Sequence, residues 1–293
     1  MPQWAYILSL LIAAYCVISL VLYIFQDYML FKPEKLPKEF QFVYDNQETE
    51  EYNVETRDGA IINGLRFKAQ NPKGVVFYLK GNSKSIKGWG KFAVDFTRHG
   101  YDVIMVDYRG FGKSTGRRTQ KAIKRDMQVI YNKIKEKVSE KYIILYGRSL
   151  GSGFATKLAS MNNPRMLILD APYYSLSKVA KKFIPFMPLS LLIKFPMPTY
   201  KWLRYVNCPI HIIHGTDDRL IPYKTSVRLS KIKPKSTTLY TVIGGGHKNL
   251  NMFESYHKML AEIVNSRPKK INLEGSSIQV RHTSKSTQVH AKN

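Results

Sequence analysis

The chain of 293 residues carries 46 Lys and Arg against 21 Asp and Glu, a formal charge of +25, and only two cysteines, Cys16 and Cys208. Cys16 falls in an apolar run, so no disulfide can form within a domain, and cysteine usage says nothing decisive about redox compartment. The basic excess invites nucleic acid, an anionic lipid surface or a plain compositional bias. No nucleic-acid motif, P-loop, G-x-G-x-x-G after a strand, or His/Cys/Asp cluster at metal-ligand spacing accompanies it, so nucleic acid, cofactor and metal are all expected to be absent.

In chain order, residues 4–25 hold no charged side chain over 22 positions, enough at about 1.5 Å per residue to cross roughly 30 Å of hydrocarbon. Trp4, Tyr6, Tyr23 and Tyr28 stand near its ends, where amphipathic rings prefer the interface. A cleaved signal peptide fits poorly: no Lys or Arg precedes the run, and no A-x-A site follows it. Ala13-Ala14-Tyr15-Cys16 is a poor lipobox, because tyrosine precedes the cysteine. Residues 1–26 are therefore expected to form an uncleaved single-pass anchor in the bilayer, and residues 27–50 a linker. Lys32, Lys35 and Lys38 follow the span, which by the positive-inside rule puts the remainder of the chain in the cytoplasm.

From residue 51 to 266 the pattern alternates between strands and helices. Residues 51–56 and 61–67, split by Arg57-Asp58-Gly59, suggest an opening antiparallel hairpin. Apolar strands follow at 75–79, 101–107, 142–146, 167–170, 210–213 and 238–243, with helical patterns near 88–98, 119–138, 153–161 and 253–264. Repeated βα alternation argues for a mainly parallel sheet covered on both faces. Its length, about 240 residues with the linker, suits a single core. Residues 173–205 are too long for a simple connection and are broken by prolines into pieces rich in Phe, Met, Leu and Lys. They read either as a basic, apolar lid that admits an acyl chain and rests on the bilayer, or as ordinary helices packed on the core. Residues 267–293 form a polar, basic tail expected to be disordered.

Several strands end in chemistry-bearing residues. After 75–79 comes Lys80-Gly81-Asn82-Ser83, and after 101–107 comes Tyr108-Arg109-Gly110-Phe111-Gly112-Lys113-Ser114, where Asp107 and Arg109 are expected to brace the loop. After 142–146 comes Gly147-Arg148-Ser149-Leu150-Gly151, followed by a helix-forming run, which is the sequence form of a strained strand-to-helix turn presenting a serine. Asp170 ends the next strand. After 210–213 comes His214-Gly215-Thr216-Asp217-Asp218-Arg219-Leu220-Ile221-Pro222, with His214 expected to be a packed turn histidine and Asp217 suited to an Asx-turn. After 238–243 comes Gly244-Gly245-Gly246-His247. In an open α/β sheet, the carboxyl ends of strands are where sites form.

A serine elbow, then an acid, then a histidine, in that chain order, resembles the α/β-hydrolase superfamily. The Asp107-to-Ser114 segment resembles that family's D-Y-R-G-x-G-x-S stretch, and His214-to-Pro222 its H-G-x-x-D-x-x-hydrophobic-Pro stretch. Together with the apolar span and the Asp27-Tyr28-Met29-Leu30-Phe31-Lys32-Pro33 linker, the pattern is similar to the Bem46-like membrane-anchored branch, over roughly residues 5 to 265. The resemblance implies an α/β-hydrolase fold behind one transmembrane helix, and a serine hydrolase with Ser149 as nucleophile and His247 as base. It implies Asp218 rather than Asp217 or Asp170 as the acid, and the Leu150 and Asn82 backbone amides as oxyanion hole. Relatives carry histidine where this chain has Lys80, which either packs structurally or meets an anionic part of the substrate. The expected substrate is an acyl ester of lipid or lysophospholipid kind, without a cofactor. A peptidase of the same fold and a non-catalytic tethered scaffold are the alternatives.

Overall fold

Residues 2–266 are described in the computed structural model; the tail at 267–293 lies outside the described residues. Helix α1 (Gln3–Leu30) comes first, and no other described helix is both long and apolar enough to cross a membrane. It continues four residues beyond the expected end of the span. The chain after it lies against the domain rather than swinging free. Phe31 is buried, with ring centroids 5.0 Å from Phe195 and 6.0 Å from Phe111, and Lys32 and Lys35 make strand-like bridges to Ser83 and Gly112.

The sheet opens with β1 (Thr49–Glu55) and β2 (Ile61–Phe67), antiparallel to each other as the hairpin spacing predicts. Then come β3 (Gly74–Leu79), the single turns α2 (Ile86–Trp89) and α3 (Val94–Thr97), β4 (Tyr101–Val106), α4 (Gln120–Lys135) and β5 (Ile143–Arg148). The chain continues through α5 (Leu150–Ala159), β6 (Met166–Asp170), the short helices α6 (Leu176–Phe183), α7 (Leu189–Leu192) and α8 (Thr199–Leu203), β7 (Ile210–Gly215), α9 (Lys224–Ser230), β8 (Thr237–Val242) and α10 (Glu254–Asn265). One sheet of eight strands results, in the order β1-β2-β4-β3-β5-β6-β7-β8. Every pairing from β4 to β8 is parallel, and β2 runs antiparallel to β4. This is an α/β-hydrolase fold.

The continuous apolar strands are buried on both faces, and their alternate residues feed two cores. Val75, Phe77 and Leu79 of β3 face the layer of α4 and α5, where Ile123, Met127, Ile130, Tyr131 and Ile134 form the buried stripe of α4. Val76 and Tyr78 face the opposite layer with Phe96 of α3 and Tyr256, Leu260 and Ile263 of α10. The helix expected near 88–98 is broken into two turns joined by a 3₁₀ segment, consistent with the low helix propensity of Gly88 and Gly90. Helix α9 was not expected. Because β3 and β5 to β8 run parallel, their carboxyl ends converge on one edge, which carries the loops of interest.

Candidate active site

Ser149 stands between β5 and α5 with φ +50° and ψ −116°, a conformation that costs an L-residue about 1–3 kcal/mol. The surroundings over-determine it. The Ser149 backbone N–H donates to the Asp170 carbonyl at 2.9 Å, and the Ser149 carbonyl accepts from the Ser152 N–H at 2.9 Å. The flanking glycines are required by space: a Cβ on Gly151 would lie 1.9 Å from the Leu79 carbonyl oxygen, and one on Gly147 2.6 Å from that of Gly151. The elbow therefore packs directly on the end of β3.

His247 and Asp218 reach the same point from the ends of β8 and β7. The Ser149 Oγ lies 2.9 Å from His247 Nε2, and His247 Nδ1 lies 2.7 Å from Asp218 Oδ2. A carboxylate can only accept, so Nδ1 carries the proton, and Nε2 is left to accept from the serine hydroxyl. The loops are stitched together. The Asp217 N–H donates to the Gly245 carbonyl at 2.9 Å, and a Cβ on Gly215 would lie 2.0 Å from that carbonyl oxygen. Arg148, buried in the elbow and lying over the Phe92 ring, points toward Asp170 and reaches the Lys248 carbonyl next to His247 at 3.4 Å.

Asp218 does two jobs with its two oxygens. Oδ1 accepts from the backbone N–H groups of Leu220 and Ile221 at 2.9 and 2.8 Å, closing the Asx-turn assigned above to Asp217. Oδ2 accepts from His247 and from His214 Nε2, at 3.0 Å for the latter. Burial opposes the charge on Asp218. The hydrogen bonds from His214, His247 and the Ile221 backbone outweigh it and hold the carboxyl well below its ordinary range. Asp217 instead accepts from the Thr216 hydroxyl at 2.8 Å, and among the described residues no hydrogen bond joins its side chain to His247. Asp170 serves the elbow: its Oδ2 accepts from the Tyr146 and Tyr256 hydroxyls, with Arg148 beside it.

His214 is the residue of the candidate site that the sequence did not reveal. It is fully buried, its Nε2 lies against two acceptors (Asp218 Oδ2 and the Ile221 carbonyl), and its Nδ1 lies 2.6 Å from the Ser226 hydroxyl of α9. Nε2 must therefore carry the proton, and His214 fixes the orientation of Asp218. The four-residue spacing to Asp218 was the available signal.

The Leu150 N–H, in the first turn of α5, and the Asn82 N–H are not taken up by a protein acceptor among the described residues. Gly81 lies beside Ser149, since a Cβ there would be 3.9 Å from the Ser149 Cβ. The same loop is tied to the end of α1. The Asn82 side-chain amide donates to the Leu30 carbonyl at 2.7 Å, and the Asn82 carbonyl accepts from the Lys32 N–H at 2.9 Å.

Lys80 faces the interior, so the substrate-contact alternative does not hold. It is fully buried, with Nζ 3.4 Å from Asp107 Oδ1, 3.0 Å from the Lys84 carbonyl and 3.9 Å from the Phe111 ring centroid. Burial pulls its ammonium down to about 8, against the attraction of Asp107. Burial likewise pushes Asp107 up, opposed by Lys80. Lys80→Met is expected to cost about 3–5 kcal/mol by leaving Asp107 buried and uncompensated. The melting temperature checks this, and Lys80→Met combined with Asp107→Asn should recover most of the loss. Arg109 braces its loop as expected, bonding Asp126 at 2.6 Å and Asp58 at 2.9 Å.

The family model described as Hydrolase_4: Serine aminopeptidase, S33, matches residues 70–205. The match covers 136 of the 293 residues and is a likeness to that family over that stretch. It is 27% identical over 207 residues to a lysophosphatidylserine lipase ABHD12 of Danio rerio, covering 62% of this chain and 51% of that protein. The chain thus spans about half the length of that relative. It is also 27% identical over 205 residues to an uncharacterized protein of Mycobacterium tuberculosis, covering 69% of this chain and 73% of that one. Among solved structures, the Pyrococcus furiosus esterase Pf2001 superposes with a TM-score of 0.64 at 18% identity, over 81% of this chain and 97% of that chain. At that identity the superposition speaks for the α/β-hydrolase fold alone.

Proposed function

We propose that this α/β-hydrolase is a membrane-anchored serine hydrolase that cleaves an acyl ester of lipid or lysophospholipid kind. The observation that carries the reading is the continuous path Ser149 Oγ, His247 Nε2, His247 Nδ1 and Asp218 Oδ2, with steps of 2.9 and 2.7 Å, on a strained elbow. In the mechanism, Ser149 Oγ attacks the ester carbonyl while His247 Nε2 takes its proton. The tetrahedral oxyanion is held by the Leu150 and Asn82 N–H groups, each worth about 10²–10³ in kcat. His247 then protonates the departing alcohol, leaving an acyl-enzyme. It next deprotonates a water that releases the acid and restores Ser149. Asp218 stabilises the imidazolium formed at each step.

Helix α1 is the anchor of this reading, with the domain on the cytoplasmic side by the lysines that follow it. Residues 173–205 form the cap, rooted at the site: the Tyr173 hydroxyl donates to the Leu150 carbonyl at 3.1 Å, and Lys182 Nζ to the Arg219 carbonyl at 2.5 Å. That interval holds six Lys or Arg and no Asp or Glu, which suits an acyl substrate with an anionic head such as the relative's named substrate. The second reading, a peptidase, draws on the name of the matching family model. An aminopeptidase has to hold a substrate ammonium, and residues 173–205 supply no carboxylate for it. Comparing kcat/KM on lysophosphatidylserine, monoacylglycerol and an aminoacyl anilide tests the choice. Turnover of the esters supports the proposal; turnover of the anilide alone replaces it with the peptidase.

The bond from Asn82 to Leu30 supplies a further test. Asn82→Ala keeps the backbone amide but frees the loop from the end of α1. On a short soluble ester, kcat is expected to fall about 10- to 100-fold with KM little changed; an unchanged kcat would show that the clamp does not position the loop.

A further inference from the structure

The polar residues of α1 that touch the cap form one stripe. Tyr15, Ser19 and Gln26 are four and seven positions apart, which stacks them along a single helix face. The Tyr15 hydroxyl donates to the Phe186 carbonyl at 3.1 Å, and the Ser19 hydroxyl lies 3.4 Å from Met187 Sδ. Gln26 Nε2 donates to the Leu192 carbonyl at 2.8 Å, while its Oε1 accepts from the Lys194 N–H at 2.7 Å. An otherwise apolar helix thus satisfies backbone groups in the cap. At membrane depth, non-helical backbone is tolerated where protein covers and pairs its polar groups, as α1 does for the Phe186 and Leu192 carbonyls.

The contact runs far along α1. At about 1.5 Å per residue, Tyr15 stands roughly 16 Å from Gln26 along the axis. A span needs about 20 residues, and α1 has 28. Whichever 20 cross the bilayer, Tyr15 lies within the hydrocarbon, about 10 Å or more from the interface nearest the domain. The Phe186 carbonyl lies there with it.

The cap sequence suits that depth. Residues 183–193 contain no charge, and Lys181, Lys182 and Lys194 stand at the shoulders, with Lys194 Nζ 4.6 Å from the Tyr23 ring centroid. Phe183 and Phe186 are 62% and 87% exposed, an apolar tip that no described residue covers. Charged shoulders at headgroup level and an apolar tip below them match the chemistry of a lipid leaflet.

We infer that residues 183–193 form a re-entrant tip of the cap, docked on the polar stripe of α1 and embedded in the acyl chains of the leaflet nearest the catalytic domain. The inference rests on α1 being a membrane span. Its partner is bilayer hydrocarbon, and it leads a leaflet-resident acyl chain toward Ser149 along the cap.

The test uses the full chain with Cys208→Ala, in nanodiscs of phosphatidylcholine and phosphatidylglycerol, carrying one nitrobenzoxadiazole label. The labelled positions are native Cys16 in α1, Phe186→Cys with Cys16→Ala, and the exposed α4 control Lys133→Cys with Cys16→Ala. Dithionite, an anion excluded from hydrocarbon, is expected to reduce the label at 16 and 186 at least about tenfold more slowly than at 133. Lipids spin-labelled on the acyl chain are expected to quench 16 and 186 but not 133. Fast reduction at 186 with protection at 16 would overturn the embedded tip and leave the anchor standing. Fast reduction at both would overturn the anchor and the tip together.

Discussion

Ser149→Ala is expected to lower kcat for ester hydrolysis by about 10⁵- to 10⁶-fold, because among the described residues no other hydroxyl bonds His247 Nε2. What remains comes from binding and the oxyanion amides. The fold should survive, since the strain at φ +50° is held by backbone bonds and glycine packing that do not involve Oγ. Stopped-flow turnover and the melting temperature, measured on the same preparation, check both halves. Ester turnover within tenfold of wild type would place the nucleophile elsewhere.

The second large effect is at Asp218. An asparagine there must choose which function to keep. With its oxygen at the turn it accepts from Leu220 and Ile221, and its amide then faces the ring nitrogens of His247 and His214 as a donor. His247 is pushed to the tautomer with its proton on Nε2, and no base faces Ser149. Flipped, the amide repairs the relay but abandons the turn. Asp218→Asn is therefore expected to cost about 10⁴-fold in kcat. Asp217→Asn, whose side chain bonds only the Thr216 hydroxyl among the described residues, should stay within about 0.5 kcal/mol in stability. Equal losses at both positions would undo the assignment. Because its folded-state pKa is depressed, Asp218 stabilises the protein above about pH 4, and that contribution fades as pH falls further. It remains charged through mildly acidic conditions, so an acid limb in the activity profile belongs to another group.

Much of this was legible in the sequence because each site residue follows an apolar strand. Parallel strands expose their carboxyl ends on one edge, so Ser149, Asp218 and His247 could be expected together before any geometry was known. Glycine spacing around Ser149 was informative for the same steric reason that the structure makes explicit at Gly147 and Gly151. What escaped depends on contacts between residues distant along the chain. Lys80 looked free to meet substrate until Asp107 and Phe111 were seen around it. His214 looked like packing, although its partner is Asp218, the candidate acid. Tyr15, Ser19 and Gln26 were unremarkable in an apolar run. Their meaning came from cap groups more than 160 residues away, two backbone carbonyls and the Met187 sulfur.

The central claim is that Ser149 is an activated nucleophile, and intact-mass detection of a fluorophosphonate adduct tests it most directly. The full-length chain in detergent is compared with its Ser149→Ala variant, each verified as folded by its melting transition. The account predicts one adduct per wild-type molecule and none on Ser149→Ala. An unlabelled folded wild type, or equal labelling of the variant, would contradict it.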